Sequence, residues 1–177
     1  MGHMFLYHGS PNHIDFIKTH KSTHKVSAVY ATPFYEFAMC YAGKHWCDLD
    51  INQSVYNDKI ILTEIYPNTF KIFFDCPGYI YYLKPDNFKP LENNGAYEYI
   101  SMNDVTPVRI DRIDNVLSEL RKRRNVALYN YPNLPPYIKD RWKYIEEKGK
   151  MFHMNIQKLK SDMIKKGLPV PPIKYDT

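Results

Sequence analysis

The stretch from residue 5 to residue 42 constrains the fold of this chain more than any other part. It opens with a short apolar run, residues 5–8, that predicts a strand, and Gly9 and Ser10 then allow the backbone to turn. A second β-rich run, residues 26–31, predicts another strand. Because an amphipathic run follows it directly, we expect two strands and a helix close together in this part of the chain.

The helix after the second strand has start and stop signals in the sequence. Thr32 is placed to cap its amino end, and Pro33 suits the first helical position. Gly43 is placed to end the helix, because glycine accepts the backbone conformation that follows a last turn. The residues that share its apolar face by helical spacing are Phe34, Phe37, Ala38 and Tyr41.

The middle of the chain carries further β-rich runs separated by turn residues. The sequence lacks the strand–helix–strand alternation that is typical of parallel sheets, so the predicted fold class is α+β with a mainly antiparallel sheet. Residues 45–58 and 84–95 are predicted to be loops, because they are polar or marked by Pro and Gly. The predicted strands of this part are residues 59–66, 70–74, 79–83, 97–101 and 105–110.

Composition and charge divide the chain into two parts. Apolar residues make up 44% of the chain and aromatic residues 15%, which is enough for a packed core and argues against disorder. Residues 1–110 carry 9 basic and 11 acidic side chains, whereas residues 111–177 carry 15 and 8. The sequence therefore predicts a core domain over residues 5–110 and a basic helical C-terminal extension over residues 111–177.

The basic extension has three interpretations from its residues alone. A helical face at residues 110–120 precedes the run Arg121 to Arg124, and further helices are expected at residues 137–166 before an extended tail at 167–172. The charges can form a solvated helical face that covers the sheet. They can also follow a nucleic-acid backbone while tyrosines stack on bases, or they can dock a protein partner.

No segment of the sequence predicts a membrane span or secretion. Apolar runs stay well below 18 residues and no signal-peptide pattern is found, so no membrane partner is expected. The chain has 3 cysteines, and none of them form a Cys-x-x-Cys pair, which favours reduced thiols. The predicted location is therefore cytoplasmic.

A first group of candidate residues surrounds the end of the first strand and the helix that follows the second. His8 and Ser10 supply short polar groups on either side of Gly9, where a ligand can approach the backbone. Tyr30 ends the second strand, and Tyr41 lies on the helix after it. The two rings can form the walls of a flat slot, or both can be ordinary core residues.

Glu98 is a further candidate because it is a carboxylate within a β-rich run. It stands between Tyr97 and Tyr99 on a predicted strand that is expected to be half buried. Burial of an unpaired charge is costly, so such a residue marks a functional site or a paired structural ion. Exposure on the solvent face of the strand is the remaining alternative.

Three motifs, in this order, resemble the His–Tyr–Glu signature of the ADP-ribosyltransferases of the diphtheria-toxin and poly(ADP-ribose) polymerase type. The interval between the two tyrosines is also similar, and residues 62–68 resemble the central strand and turn of that fold. The resemblance covers residues 5–110 and implies a split mixed or antiparallel β-sheet core with flanking helices. The motifs are Leu6-Tyr7-His8-Gly9-Ser10, Val29-Tyr30-Ala31 with Ala38 to Tyr41, and Tyr97-Glu98-Tyr99-Ile100.

The resemblance implies that the protein binds NAD⁺ as a substrate and that it needs no metal. His8 would bind a hydroxyl of the adenosine ribose, with Ser10 beside it. The backbone of Gly9 would hold the nicotinamide carboxamide. Tyr30 and Tyr41 would stack on the nicotinamide ring.

The same resemblance implies a catalytic set of Glu98, Tyr30 and His8. Glu98 would bond the 2′-hydroxyl of the nicotinamide ribose and stabilise the positive charge that develops as nicotinamide leaves. Ala38 stands where polymerase-type members have a Ser that bonds the carboxamide, so it would line this subsite without a hydroxyl. Ala96 stands where arginine-modifying relatives have Glu or Gln, which argues against an arginine acceptor.

The function that the resemblance implies is mono-ADP-ribosyl transfer from NAD⁺ to a macromolecular acceptor, either protein or nucleic acid. The loop at residues 84–95 is short, so we expect a single transfer rather than a polymer. The small size suits a bacterial or phage toxin or effector. Two alternatives remain open, a non-catalytic module that binds NAD or ADP-ribose and a glycohydrolase that uses water as the acceptor.

Overall fold

A computed structural model describes residues 4–21, 26–44, 51–56, 59–64, 68–91, 97–131 and 133, and the single residues 143, 147, 161, 164 and 165. The described part is a mixed α+β fold with several antiparallel sheets and few helices, which confirms the predicted fold class. The chain forms two compact units, one of residues 1–45 with 71–126 and one of residues 46–70 with 127–177. Among the helices described, none is long and apolar enough to span a membrane.

The elements are short and follow one another closely along the chain. The helices are α1 (Tyr35–Tyr41), α2 (Thr69–Phe74) and α3 (Val116–Lys122), with a 3₁₀ turn at Pro85–Asn87. The strands are β1 (Leu6–Ser10), β2 (His20–Lys21), β3 (Ser27–Ala31), β4 (Ile51–Tyr56), β5 (Lys59–Glu64), β6 (Gly78–Leu83), β7 (Lys89–Pro90), β8 (Tyr99–Ser101), β9 (Arg109–Ile113) and β10 (Val126–Tyr129).

The first unit contains two antiparallel sheets. In one, β6 lies between β1 and β9, and the pairing of β1 with β6 sets His8 opposite Tyr81. In the other, the strand order is β2-β3-β8-β7, and the pairing of β3 with β8 sets Tyr30 opposite Ile100. The strand expected at residues 79–83 is confirmed as β6, the central strand of the first sheet.

In the described part of the chain, a single isolated bridge connects β1 to the residue that follows β3. Tyr7 and Thr32 exchange both backbone hydrogen bonds, with N–O distances of 2.7 and 2.9 Å. Continued antiparallel pairing would set Gly9 opposite Tyr30, but the bridge has no neighbouring pair in this part of the chain. The two strands therefore separate beyond Tyr7, and we call the space between Gly9 and Tyr30 the β1–β3 gap.

Helix α1 packs directly on β1 at Gly9. A Cβ on Gly9 would overlap the carbonyl oxygen of Ala38 and would lie 2.9 Å from the backbone nitrogen of Ala42. Only glycine allows the helix to come this close to the strand. The core on the opposite face of β1 is formed by Leu6, Ile17, Val29, Ala31, Tyr81 and Leu83.

Helix α3 also belongs to the first unit. Asn115 caps it, because its side chain accepts the N–H of Ser118 over 2.8 Å and donates to Asp75 over 2.7 Å. Three apolar side chains of the helix, Val116, Leu117 and Leu120, are buried. The boundary predicted at residue 110 falls inside β9, so residues 111–126 fold with the first unit.

The second unit contains a three-stranded sheet in the order β10-β5-β4. Glu64, at the end of β5, is only 5% exposed. Its carboxylate accepts the backbone N–H groups of Phe70 and Tyr131 over 2.9 and 3.0 Å. These two hydrogen bonds stabilise the buried carboxylate, and the one from Phe70 fixes the start of α2 relative to the end of β5.

The prediction of a strand at residues 70–74 is wrong, because these residues form most of α2. Their aromatic and β-branched content favoured a strand. However, Phe70, Phe73 and Phe74 also have helical spacing, and all three are buried, at 1%, 3% and 0% exposure. Asn68 immediately before the helix has a φ of 62°, a left-handed conformation that Asn tolerates and that redirects the chain.

The prediction of a polar loop at residues 45–58 is wrong for residues 51–56, which form β4. Polar side chains hid the strand pattern, since Asn52 lies on the buried side at 5% exposure. Pairing with β5 sets Ile51 opposite Glu64 and Val55 opposite Ile60. The partner strand therefore determined this element, while residues 45–50 and 57–58 lie outside the described residues.

The predicted starts of two helices and one strand are displaced. Thr32 does not cap α1, which begins at Tyr35 after Phe34, because Thr32 is held in the bridge to Tyr7. The predicted helical face at residues 110–120 is extended up to residue 113 and helical only from residue 116.

The strand expected at residues 105–110 begins at residue 109, and Val105 makes only an isolated bridge to Ile17. Apart from the single residues named above, the helices and the tail expected at 137–172 lie outside the described residues.

We expect Gly9→Ala to destabilise the protein, because its methyl group would force α1 away from β1. Overpacking of this kind typically costs about 1–3 kcal/mol, and chemical denaturation would measure the loss. Ser27→Ala is the control, since it changes an exposed side chain of a neighbouring strand. A Gly9→Ala protein within about 0.5 kcal/mol of the parent would contradict the close packing of α1 on β1.

Candidate functional site

His8 lies at the β1–β3 gap and reaches across it. Its Nδ1 atom is 2.7 Å from the carbonyl oxygen of Tyr30. A carbonyl oxygen can only accept, so Nδ1 carries the proton in this bond. In the neutral ring the other nitrogen, Nε2, is then left as a hydrogen-bond acceptor, which is the form that receives a ligand hydroxyl.

The surroundings of His8 favour the neutral ring. Burial lowers the pKa of His8 below its ordinary value of 6.5, and the nearby His20 lowers it further. The hydrogen bond to the Tyr30 carbonyl opposes this shift but is the smaller effect. At neutral pH His8 is therefore an uncharged imidazole with a fixed tautomer.

The bond between His8 and Tyr30 also explains how the backbone of Gly9 becomes available. Backbone groups two residues apart on a strand point to the same edge, so those of Gly9 point to the edge where Tyr7 bonds Thr32. In a continued ladder the N–H of Gly9 would bond the carbonyl of Tyr30, but the ladder does not continue past the bridge, and the His8 ring bonds that carbonyl. The N–H and C=O of Gly9 are thus presented together at the gap.

Tyr30 forms the other side of the gap, and its ring is held in place. Its hydroxyl donates to the carbonyl oxygen of Val26 over 2.9 Å. The ring of His20, on the neighbouring strand β2, lies 5.7 Å from the Tyr30 ring, with the two planes tilted by 54°. Tyr30 as a whole is partly buried.

Glu98 lies one residue before β8 rather than within it, so the prediction that places it inside the strand is wrong by one residue. The ladder nevertheless continues through its backbone, because the N–H of Leu91 donates to the Glu98 carbonyl over 2.9 Å. Side chains two residues apart share a face, so Glu98 shares one with Ile100. Ile100 lies opposite Tyr30, and the fold thus brings Glu98 to the Tyr30 face of the sheet.

The predicted residues of α1 and Ser10 have different surroundings. Ala38 is buried, with its carbonyl oxygen against Gly9. Tyr41 is 42% exposed at the last turn of α1, with its ring 5.8 Å from that of Phe37. The hydroxyl of Ser10 accepts the N–H of Asn12 over 3.2 Å, which begins the turn after β1 and leaves its proton as a donor.

The structure brings some of the predicted residues together and leaves others apart. His8 is hydrogen-bonded to the backbone of Tyr30, and Gly9 is packed closely against the backbone of Ala38. Strand alternation puts the His8 side chain on the Tyr81 face, whereas Tyr30 and Glu98 share the opposite face. The described contact of Tyr41 is with its own helix. A ligand would therefore have to pass through the gap to meet both faces.

Sequence reasoning missed two residues that shape this site. His20 was not among the candidate residues, although its ring contacts Tyr30 from β2. Tyr81 is fully buried, accepts the N–H of Ile14 over 2.9 Å and donates to the Asn12 carbonyl over 2.8 Å. It therefore holds the segment that follows Ser10. Only the pairing of β1 with β6, which the sequence does not specify, could have revealed this role.

Comparison of the chain with protein-family models, with curated proteins and with solved structures finds no match. The function of the site is therefore inferred from the geometry of its own residues.

We expect His8 to make the stability of the protein fall as the pH falls through the range around 6.5. Its pKa is lowered in the folded state, so the unfolded chain takes up the proton first and unfolding becomes easier. His8→Asn keeps a donor near the position of Nδ1 but cannot titrate, and the difference in melting temperature between parent and variant should therefore change between pH 7.5 and pH 5.

His8→Ala is the comparison variant, because it removes the bond to Tyr30 and should be less stable than the parent at neutral pH, by a difference that narrows as the pH falls. Equal pH dependence of the parent and His8→Asn would show that His8 does not titrate as this environment requires.

Proposed function

We propose that this protein is a mono-ADP-ribosyltransferase that transfers ADP-ribose from NAD⁺ to a macromolecular acceptor. The observation that carries the proposal is the bond of His8 to the Tyr30 carbonyl across the β1–β3 gap. This bond takes the place of a ladder bond and leaves the backbone of Gly9 facing the gap. The sequence resemblance to the His–Tyr–Glu ADP-ribosyltransferases points to the same three places in the fold.

The groups at the gap fit the chemical features of NAD⁺. A carboxamide has one acceptor and one donor side, and the N–H and C=O of Gly9 offer the matching pair along one edge. A ribose hydroxyl can donate to Nε2 of His8, whose tautomer is set by Tyr30. The fixed ring of Tyr30 suits stacking on a flat heterocycle. Ala38, buried under Gly9, adds no further polar group from its side chain.

Glu98 is proposed to act on the charge that appears as the bond to nicotinamide breaks. NAD⁺ supplies a glycosidic bond to a leaving group that departs neutral, while positive charge builds on the ribose. A fixed carboxylate near that ribose stabilises the charge more than it stabilises bound NAD⁺. The same carboxylate can orient the incoming nucleophile. Its place on the Tyr30 face supports this role.

The acceptor is proposed to be a macromolecule, protein or nucleic acid, and the protein is proposed to act as a toxin or effector in the cytoplasm. The thiols of Cys40 and Cys76 are both buried in the described part, and the absence of any Cys-x-x-Cys pair in the sequence favours reduced thiols. Hydrolysis of NAD⁺ and binding without turnover are the two alternatives. Binding alone releases no nicotinamide. Hydrolysis releases nicotinamide and free ADP-ribose, whereas transfer leaves the ADP-ribose on an acceptor.

We expect Glu98→Gln to lower the rate of nicotinamide release by about 100- to 1000-fold with little change in NAD⁺ affinity, since the lost charge acts mainly in the transition state. Nicotinamide release from NAD⁺ should be measured with and without lysate as a source of acceptor. Asp86→Asn, which removes an exposed carboxylate from the 3₁₀ turn of the same unit, is the control.

The three functions give different results in this assay. Release that needs lysate and labels a macromolecule supports transfer, whereas equal release without lysate supports hydrolysis. NAD⁺ binding without any release supports the binding module. If Glu98→Gln releases nicotinamide at the parent rate, Glu98 is not the catalytic carboxylate.

We expect millimolar NAD⁺ to raise the melting temperature of the parent protein, because a ligand that binds only the folded state stabilises it by mass action. Nicotinamide should compete for the same gap. Tyr30→Ala should lose most of this stabilisation, while Tyr129→Ala, which changes a 39% exposed ring on β10, should keep it. A parent protein whose melting temperature is unchanged at millimolar NAD⁺ would count against an NAD⁺ site.

A further inference from the structure

Arg123 holds together several groups that the proposed reaction does not use. It is the residue at which α3 ends, and its own N–H donates to the Leu120 carbonyl over 3.2 Å. Its guanidinium lies 3.7 Å from a carboxylate oxygen of Glu36 and 3.7 Å from one of Glu119. It also lies 5.2 Å from the centre of the Tyr35 ring. Arg123 thus contacts the first turn of α1 through two neighbouring residues.

Tyr35, whose ring contacts Arg123, also contacts β1. Its ring stands at 78° to the ring of Tyr7, with 5.4 Å between their centres. Tyr7 is the residue whose backbone makes the bridge to Thr32, two positions before Gly9. One turn further along α1, the carbonyl of Ala38 rests on Gly9 itself. The first turn of α1 is therefore held at a point next to the bridge, and the backbone of Ala38 and Ala42 further along the helix lies at Gly9.

We propose that Arg123 is a positioning residue for the NAD⁺ site, because it clamps the first turn of α1 and so sets the helix against Gly9. This inference rests on the proposed function. Helix α1 has only 7 residues, so loosening its first turn is expected to displace Ala38 relative to Gly9. Arg123 does not touch the gap, and its effect on the site passes through α1.

The contacts of Arg123 require a guanidinium rather than any positive charge. Its planar group lies within ion-pair distance of two carboxylates and over an aromatic ring at the same time, which the compact ammonium of Lys cannot do equally well. Glu36 is 18% exposed and Arg123 is 37% exposed, so the pair is shielded better than an ordinary surface ion pair. The neighbouring Arg121 and Arg124 are exposed and provide matched comparisons.

The test is a steady-state comparison of NAD⁺-dependent nicotinamide release by the parent, Arg123→Gln and Arg123→Lys, well below their melting temperatures. A displaced α1 weakens the binding of NAD⁺, so we expect KM to rise about threefold to tenfold in Arg123→Gln with kcat close to the parent value. Arg123→Lys should recover part of the affinity. Arg121→Gln should behave as the parent.

A merely structural role for Arg123 gives a different pattern. General destabilisation would lower the melting temperature and the active fraction, which reduces apparent kcat and leaves KM unchanged. That pattern in Arg123→Gln, or a rise in KM of the same size in Arg121→Gln, would overturn the inference. The double variant with Glu36→Gln adds a second test, since the KM effects should be non-additive if the two residues act as one clamp.

A measurement that does not depend on turnover separates this inference from the proposed function. Amide hydrogen exchange at Phe37 and Ala38, whose N–H groups both donate to the Phe34 carbonyl, should be faster in Arg123→Gln than in Arg121→Gln. If the parent protein releases no nicotinamide, the proposed function fails, while this exchange result still shows whether the clamp exists. Unchanged exchange in Arg123→Gln would overturn the clamp whatever the protein does with NAD⁺.

Discussion

The candidate site depends on the way in which the pairing of β1 with β3 is interrupted. The bridge between Tyr7 and Thr32 brings the strands into register, so that Gly9 and Tyr30 would pair next. The His8 ring bonds the Tyr30 carbonyl instead and leaves the strands apart. This hydrogen bond sets the tautomer of His8 and ties its ring to the backbone of β3 at Tyr30.

The side of the gap at Gly9 is set by the packing of helices rather than by the sheet. Helix α1 lies on Gly9 because a glycine admits its Ala38 carbonyl. The same helix is fastened at its first turn by Tyr35 and Glu36 to Arg123 at the end of α3. A segment that the sequence assigns to the basic extension thus packs within the first unit, and its arginine is used there.

Some elements followed from the sequence because local pattern and tertiary environment agree in them. Strand β6 and the apolar face of α3 from Val116 to Leu120 are of this kind. In residues 70–74 and in β4, local pattern and tertiary environment disagree. The first has β-forming side chains but a helical burial pattern, and the second has a polar sequence that needs β5 beside it. Propensity is a weak preference of the backbone, and burial against a partner outweighs it.

The sequence by itself determined the residue types of the proposed NAD⁺ site and their order: a histidine before a glycine, tyrosines on the second strand and on the helix after it, and a late glutamate. It also determined the α+β class, since turn residues and apolar periodicity are local properties. Only the tertiary structure decided that His8 bonds Tyr30, that Glu98 shares the Tyr30 face, and that Arg123 holds α1. These are contacts between residues far apart in the chain, and their geometry arises from strand register and helix packing, which no local pattern encodes.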